Sequence, residues 1–249
     1  MVPRGTKASM TDTPRVMQSG MVDFIIGKNR KRFWIHSALA GYIPKKILDR
    51  PVNDEMDEVD FGRCCEFAYC GNYSVPLPIS RLHQDGKVEP TRTPRKRWNP
   101  TYLSNNIFYT TSIGDYKAHL VEQLGLSTWD RNERDGLTDP ANDYTEVFLV
   151  HARMHRVAHQ TDWTLRRDLS LYRLTWLLEN FTLSDDRAGN IVSLLRFVFV
   201  ESEPMKDIRK LLCDYATWNV EVLMRDVEFQ KLLDAVPSLE KVIFRSMWM

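Results

Sequence analysis

Apolar and polar residues alternate twice between Val22 and His36. Val22, Phe24 and Ile26 are spaced by Asp23 and Ile25, Gly27 to Lys31 supply turn chemistry, and Phe33 and Ile35 then face away from Trp34 and His36. The pattern predicts a β-hairpin whose second strand is covered on both faces. Ser37 stands where an N-cap belongs, with Ala38, Leu39 and Ala40 behind it, so a helix is expected from Ser37. Gly41 and Pro44 interrupt it and leave Lys45 to Leu48 room for one short turn before Pro51. The acidic run from Asn53 to Asp60 leads into a helix, because carboxylates favour the positive N-terminal end. Phe61, Cys64, Cys65 and Ala68 fall at helical spacing, which makes the cysteines core residues, and Gly71 supplies a left-handed stop.

Residues 1–19 are polar and aperiodic and read as a mobile tail. Residues 77–143 are crowded with Pro, Thr, Asn, Asp and basic residues and read as an insertion, largely loop, with helical periodicity only around 107–126. From Tyr144 onward the chain is helical in pattern. Val147, Val150, Met154 and Val157 make one stripe, and Leu165, Leu169, Tyr172 and Trp176 a second. Ser184 is the expected cap of a third helix burying Ile191, Leu194, Leu195 and Val198. Ile208, Leu211, Leu212 and Tyr215 define a fourth, Phe229, Leu232 and Leu233 a fifth, and Leu239, Val242 and Ile243 a last short one. Isolated amphipathic helices are marginal in water, so these must pack together. The fold class is therefore α+β, mostly helical, with a small sheet and a C-terminal helical extension over 201–249.

Composition adds mainly exclusions. Lys plus Arg (34) nearly cancels Asp plus Glu (33), so no global field gathers nucleic acid or anionic lipid. The four cysteines, Cys64, Cys65, Cys70 and Cys213, form no C-x-x-C pair and are expected as free thiols. No apolar run approaches the roughly 20 residues of a membrane span, and the N-terminus lacks a signal-peptide core, which points to the cytosol or nucleus.

Two ordered stretches carry a family resemblance. Val22 to Leu39 (VDFIIGKNRKRFWIHSAL) resembles the opening of a BTB/POZ domain, and Phe61 to Tyr73 (FGRCCEFAYCGNY) its "F…F-x-Y-x-G-x-Y" helix and turn. Val147 to Leu171 is similar to the "hydrophobic-His-Ala-Lys/Arg" helix pair of the BTB-like proteins abundant in filamentous fungi. The resemblance implies that 20–76 and 144–200 are two parts of one domain, separated by the insertion. It implies protein–protein interaction rather than catalysis, commonly through homodimerisation and sometimes through recruitment of a cullin ubiquitin ligase, with a degenerate BTB-like protein that has a private partner as the alternative. Between His36 and Phe61 the family carries a longer second helix and a further strand, which this chain is expected to lack. Met56-Asp57-Glu58 fits the family's cullin-binding "hydrophobic-x-Glu" pattern, so Met56 and Glu58 are candidate partner-binding residues, although a helix lead-in accounts for the same three.

Few residues suggest chemistry. His151, His155 and His159 are spaced i, i+4, i+8, and the first two are one turn apart, as an H-x-x-x-H metal pair would be. The third lies roughly 12 Å along the axis from the first at about 1.5 Å per residue, and Ala152 stands where a metalloprotease carries its Glu. A structural histidine face explains them better, and a metal- or ligand-binding helical protein is the competing class. Cys70 with His36 or His83 makes no thiolate pair that spacing can support, so Cys70 is expected in the core. No phosphate loop, dinucleotide fingerprint or nucleophile elbow is present, and Asp185, Asp186, Glu201 and Glu203 sit where helix ends explain them. A non-catalytic protein without cofactor is expected. Trp34, Trp163, Trp176, Trp218 and Trp248 read as core, whereas Trp98 and Trp129 lie in the insertion. Trp98 is the further partner-binding candidate. Arg92, Arg95, Lys96 and Arg97 before it make a basic cluster that a solvated loop explains better than a nucleic-acid contact.

Overall fold

The computed structural model describes residues 13–80 and 142–247. The α+β, mostly helical class holds. The chain divides into two compact units, Met1–Val75 with Gln160–Thr164, and Pro76–His159 with Leu165–Met249.

In the first unit a short helix α1 (Thr13–Met17) lies inside the stretch expected to be tail. Strands β1 (Met21–Ile26) and β2 (Lys31–His36) form the expected hairpin, antiparallel from Met21 opposite His36 to Ile26 opposite Lys31. The turn needs left-handed backbone at Gly27 (φ 76°) and Arg30 (φ 53°) and closes through Arg30 N–H donating to Gly27 O at 2.9 Å. Residues Ser37–Tyr42 form a 3-10 helix, and the Ser37 side chain does not cap it. The hydroxyl comes instead from Ser19, which accepts Ala38 N–H at 3.2 Å and donates to Val16 O at 2.8 Å. A serine of the preceding turn is thus brought alongside by the hairpin, a pairing that local spacing does not encode.

A four-residue helix α2 (Lys45–Leu48) precedes β3 (Val52–Asn53), which pairs parallel to β1 in a sheet of order β2-β1-β3. The strand expected to be missing is therefore present, shortened to two residues. Helix α3 (Glu58–Cys70) is capped by the Asp57 carboxylate, which accepts from Val59 and Asp60 N–H, and stops at Gly71 (φ 68°). Its inner face carries Phe61, whose ring lies 5.2 Å from that of Phe24 and 5.0 Å from that of Phe33. Cys64 is buried as expected, but Cys70 is exposed at the last turn. Trp163 completes this core edge-on to Phe67 at 5.2 Å.

The second unit begins with a clasp. Strands β4 (Ile79–Ser80) and β5 (Asn142–Asp143) pair antiparallel, bringing together the two ends of the chain between them. Buried Asn190 anchors the segment after β5: its amide donates to Asp143 Oδ1 (3.1 Å) and Thr145 Oγ1 (3.0 Å), and its carbonyl accepts Tyr144 N–H at 3.3 Å. Helices α4 (Thr145–Gln160), α5 (Thr164–Asn180), α6 (Ala188–Phe199), α7 (Lys206–Trp218), α8 (Val220–Leu223), α9 (Val227–Ala235) and α10 (Pro237–Met247) complete the unit. Helix α10 packs on α7 and α9, and α9 on α6.

The stripes expected on α4, α6, α7 and α9 are buried. On α10 Leu239 and Ile243 are buried while Val242 is 43% exposed, and the helix is eleven residues long rather than short. The stripe on α5 is displaced: Leu165 is exposed, and the buried face is Arg166, Leu169, Ser170, Arg173, Leu174, Leu177 and Leu178. Two arginines on a buried face defeat a reading that counts only apolar positions. Ser184 does not cap its helix through its side chain; a 3-10 turn over Asp185–Arg187 opens it, and Arg187 N–H donates to the Ser184 carbonyl. Arg187 is itself buried, donating to Thr182 O at 2.8 Å with its guanidinium 4.0 Å above the Phe181 ring.

Candidate docking face of the small sheet

The hairpin register sorts its side chains into two faces. Val22, Phe24 and Ile26 share one with Phe33 and Ile35, and α3 covers it. The other carries Met21, Asp23 and Ile25 opposite His36, Trp34 and Arg32, with Val52 beside Ile25. This outer face is open, contrary to the expectation that both were covered: Met21 is 56%, Trp34 56% and Val52 47% exposed. Trp34 is thus a surface residue rather than a core one. The signal was present in β1, where Asp23 stands directly across from Trp34 and marks that face as reaching water.

Strand β2 also forms an edge. Ile25 and Gly27 turn their N–H groups to Pro51 O (2.7 Å) and Asn53 O (2.9 Å), toward β3. Ile25 and Arg32 are therefore a non-hydrogen-bonded pair, and the backbone groups of Arg32, Trp34 and His36 point away from β1. His36 N–H is taken by the Tyr69 hydroxyl at 3.2 Å, which also lies 2.7 Å from His36 Nδ1. No hydrogen bond joins the outward backbone groups of Arg32 and Trp34 to a described residue.

The expected site residues scatter. Met56 is half-buried and Glu58 folds across the turn, its Oε1 2.8 Å from where a Cβ on Gly27 would stand, while Asp57 between them is the α3 cap. Met56-Asp57-Glu58 thus leads into α3, with Asp57 as its cap. Trp98, Trp129, His83, Trp248 and the Arg92, Arg95, Lys96 and Arg97 cluster lie outside the described residues.

The three histidines of α4 do not share a surface: His151 and His155 are buried and His159 is exposed. His155 Nδ1 lies 3.2 Å from both Arg167 O and Ser170 Oγ, and burial holds its pKa down at about 4. Among the described residues no group of three His, Cys, Asp or Glu could hold a metal ion. Burial pushes the Cys213 thiol up to about 11, away from nucleophilic use. His36 is engaged by Tyr69, and Asp185 pairs with Arg225 at 3.1 Å. No helix among the described residues is long and apolar enough to cross a membrane.

Comparison of the chain with protein-family models, with curated proteins and with solved structures finds no match.

Proposed function

We propose that this chain is a non-catalytic protein–protein interaction module of BTB/POZ type, and that the outer sheet face pairs with a second copy. The observation that carries the reading is that Met21, Trp34 and Val52 are all exposed on the same face of the sheet, one on each strand. Large apolar side chains gathered on one surface mark interaction sites, whereas singly scattered ones do not. The arrangement of hairpin, short helical turns, parallel strand and capped helix is consistent with the ordered motifs that carry the resemblance. Recruitment of a cullin through Met56 and Glu58 remains a proposal within the same reading, as does a location in the cytosol or nucleus.

Light scattering on purified protein across a micromolar dilution series tests the pairing. A dimer that Trp34→Asp converts to monomer while far-UV circular dichroism is unchanged supports the reading. A parent that is monomeric throughout, or a dimer indifferent to Trp34→Asp, overturns it. Binding of a purified cullin that Glu58→Ala leaves unaltered would remove the cullin branch alone.

A further inference from the structure

The hairpin places a cationic cluster at one end of its open edge. Lys28, Arg30, Lys31 and Arg32 are all exposed, and none forms an ion pair with a described carboxylate. Other exposed cations of the chain are paired, Lys46 with Asp162, Arg196 with Glu228 at 3.0 Å and Arg225 with Asp185 at 3.1 Å, or stand apart from one another, as Lys45, Arg50 and Lys206 do; the hairpin gathers four within five residues. Immediately beside the cluster, the outward N–H and C=O groups of Arg32 and Trp34 offer a short ladder that no described residue pairs with, ended at His36 by the Tyr69 hydroxyl. An edge with free backbone groups is a template for one more strand.

We propose that the β2 edge binds an extended acidic peptide segment, which adds an antiparallel strand along Arg32 and Trp34 and sets its carboxylates against Lys28, Arg30 and Arg32. Charge decides the occupant. A second copy laid antiparallel along the same edge would present Arg32, Trp34 and His36 and bring no carboxylate to the four cations. An acidic strand neutralises them instead. Side chains alternate along an added strand, so its carboxylates recur on the outer face with Arg32 and Trp34, and the residues between them face the side of Phe33. Nucleic acid would satisfy the charge but not the backbone ladder. The inference rests on reading this unit as an interaction module, but it uses the edge of the sheet rather than its face.

The probe is a fluorescein-labelled octapeptide alternating glutamate and valine, monitored by polarisation with the full chain. Its partners are the lysine-for-glutamate peptide, a copy N-methylated at alternate residues so that one edge lacks donors, and a single-stranded oligonucleotide of equal charge. Expected are binding of the glutamate peptide that weakens as salt rises, loss of about tenfold or more in affinity in Arg32→Gln, and a further loss in Arg32→Pro. Proline at this position removes an outward N–H without touching the ladder to β1. Amide exchange of the complex should slow at Arg32 and Trp34. Absence of binding, equal binding of the N-methylated or lysine peptide, tighter binding of the oligonucleotide, or exchange unchanged at those two amides overturns the proposal. The same samples report mass by light scattering. Peptide binding by a monomer sinks the pairing reading and leaves the edge intact, whereas a dimer without peptide binding does the reverse.

Discussion

Protonating His155 should unfold this protein's helical unit more readily than any change of solvent charge at its surface. The imidazole is 1% exposed on α4, bonded through Nδ1 to the Arg167 carbonyl and the Ser170 hydroxyl. Burial is the largest influence and lowers its pKa to about 4 from an ordinary 6.5; Arg167 and His159 add to the lowering, while the Arg167 carbonyl and Asp207 oppose it. The folded pKa lies below the unfolded one, so the unfolded chain binds the extra proton as pH falls between the two. Stability attributable to the neutral imidazole is therefore complete above about pH 6.5 and is lost progressively toward about pH 4. The whole difference amounts to about 3 kcal/mol at about 1.4 kcal/mol per unit, of which about 2 kcal/mol disappears between about pH 7 and pH 5. Asp214 works in the opposite sense, since burial raises its pKa and its stabilisation is lost as pH rises. The assay is accordingly a difference: urea unfolding of the parent and of His155→Gln at the two pH values, compared through their change with pH rather than their absolute stability. The parent should lose about 2 kcal/mol more than the variant on acidification. Equal losses in the two proteins would refute the reasoning.

Single contacts set the other expected outcomes. Phe61→Ala removes a ring that is 1% exposed and packed between Phe24 and Phe33, and should cost about 3–5 kcal/mol in denaturant unfolding of the sheet unit. Gly27→Ala places a methyl group against Glu58 at a left-handed position and should lower the melting temperature, with Glu58→Ala in the same chain restoring the part due to the clash. Asp57→Ala deletes the α3 cap and should cost about 1 kcal/mol, read from denaturant midpoints. Asn190→Ala leaves Tyr144 N–H without its acceptor and should cost about 1–3 kcal/mol, with faster amide exchange at Tyr144.

Where burial and local stereochemistry agree, the sequence is a sufficient guide. Alternation in Val22 to Ile26, the acidic entry to α3, the Gly71 stop and the stripes of α4, α6, α7 and α9 all arise from a period and a propensity. It fails where a partner distant in sequence decides the outcome. Ser37 and Ser184 look like caps by position, yet the first helix takes its hydroxyl from Ser19 and the second opens on a 3-10 turn. On α5 the buried face carries Arg166 and Arg173, and an apolar count does not register a buried cation. The docking face is half legible. Alternation assigns Trp34 to a face, but whether anything lies over that face depends on where α3 settles, which only the tertiary structure decides.

The clasp of β4 and β5 has an evolutionary side. Ser80 and Asn142 face each other across a ladder, so the two ends of the sequence between them are held side by side. A lineage can thus lengthen, shorten or exchange that passage in one genetic step while Asn190 keeps the start of α4 in register. The clasp is a natural graft point for new specificity on an unchanged frame.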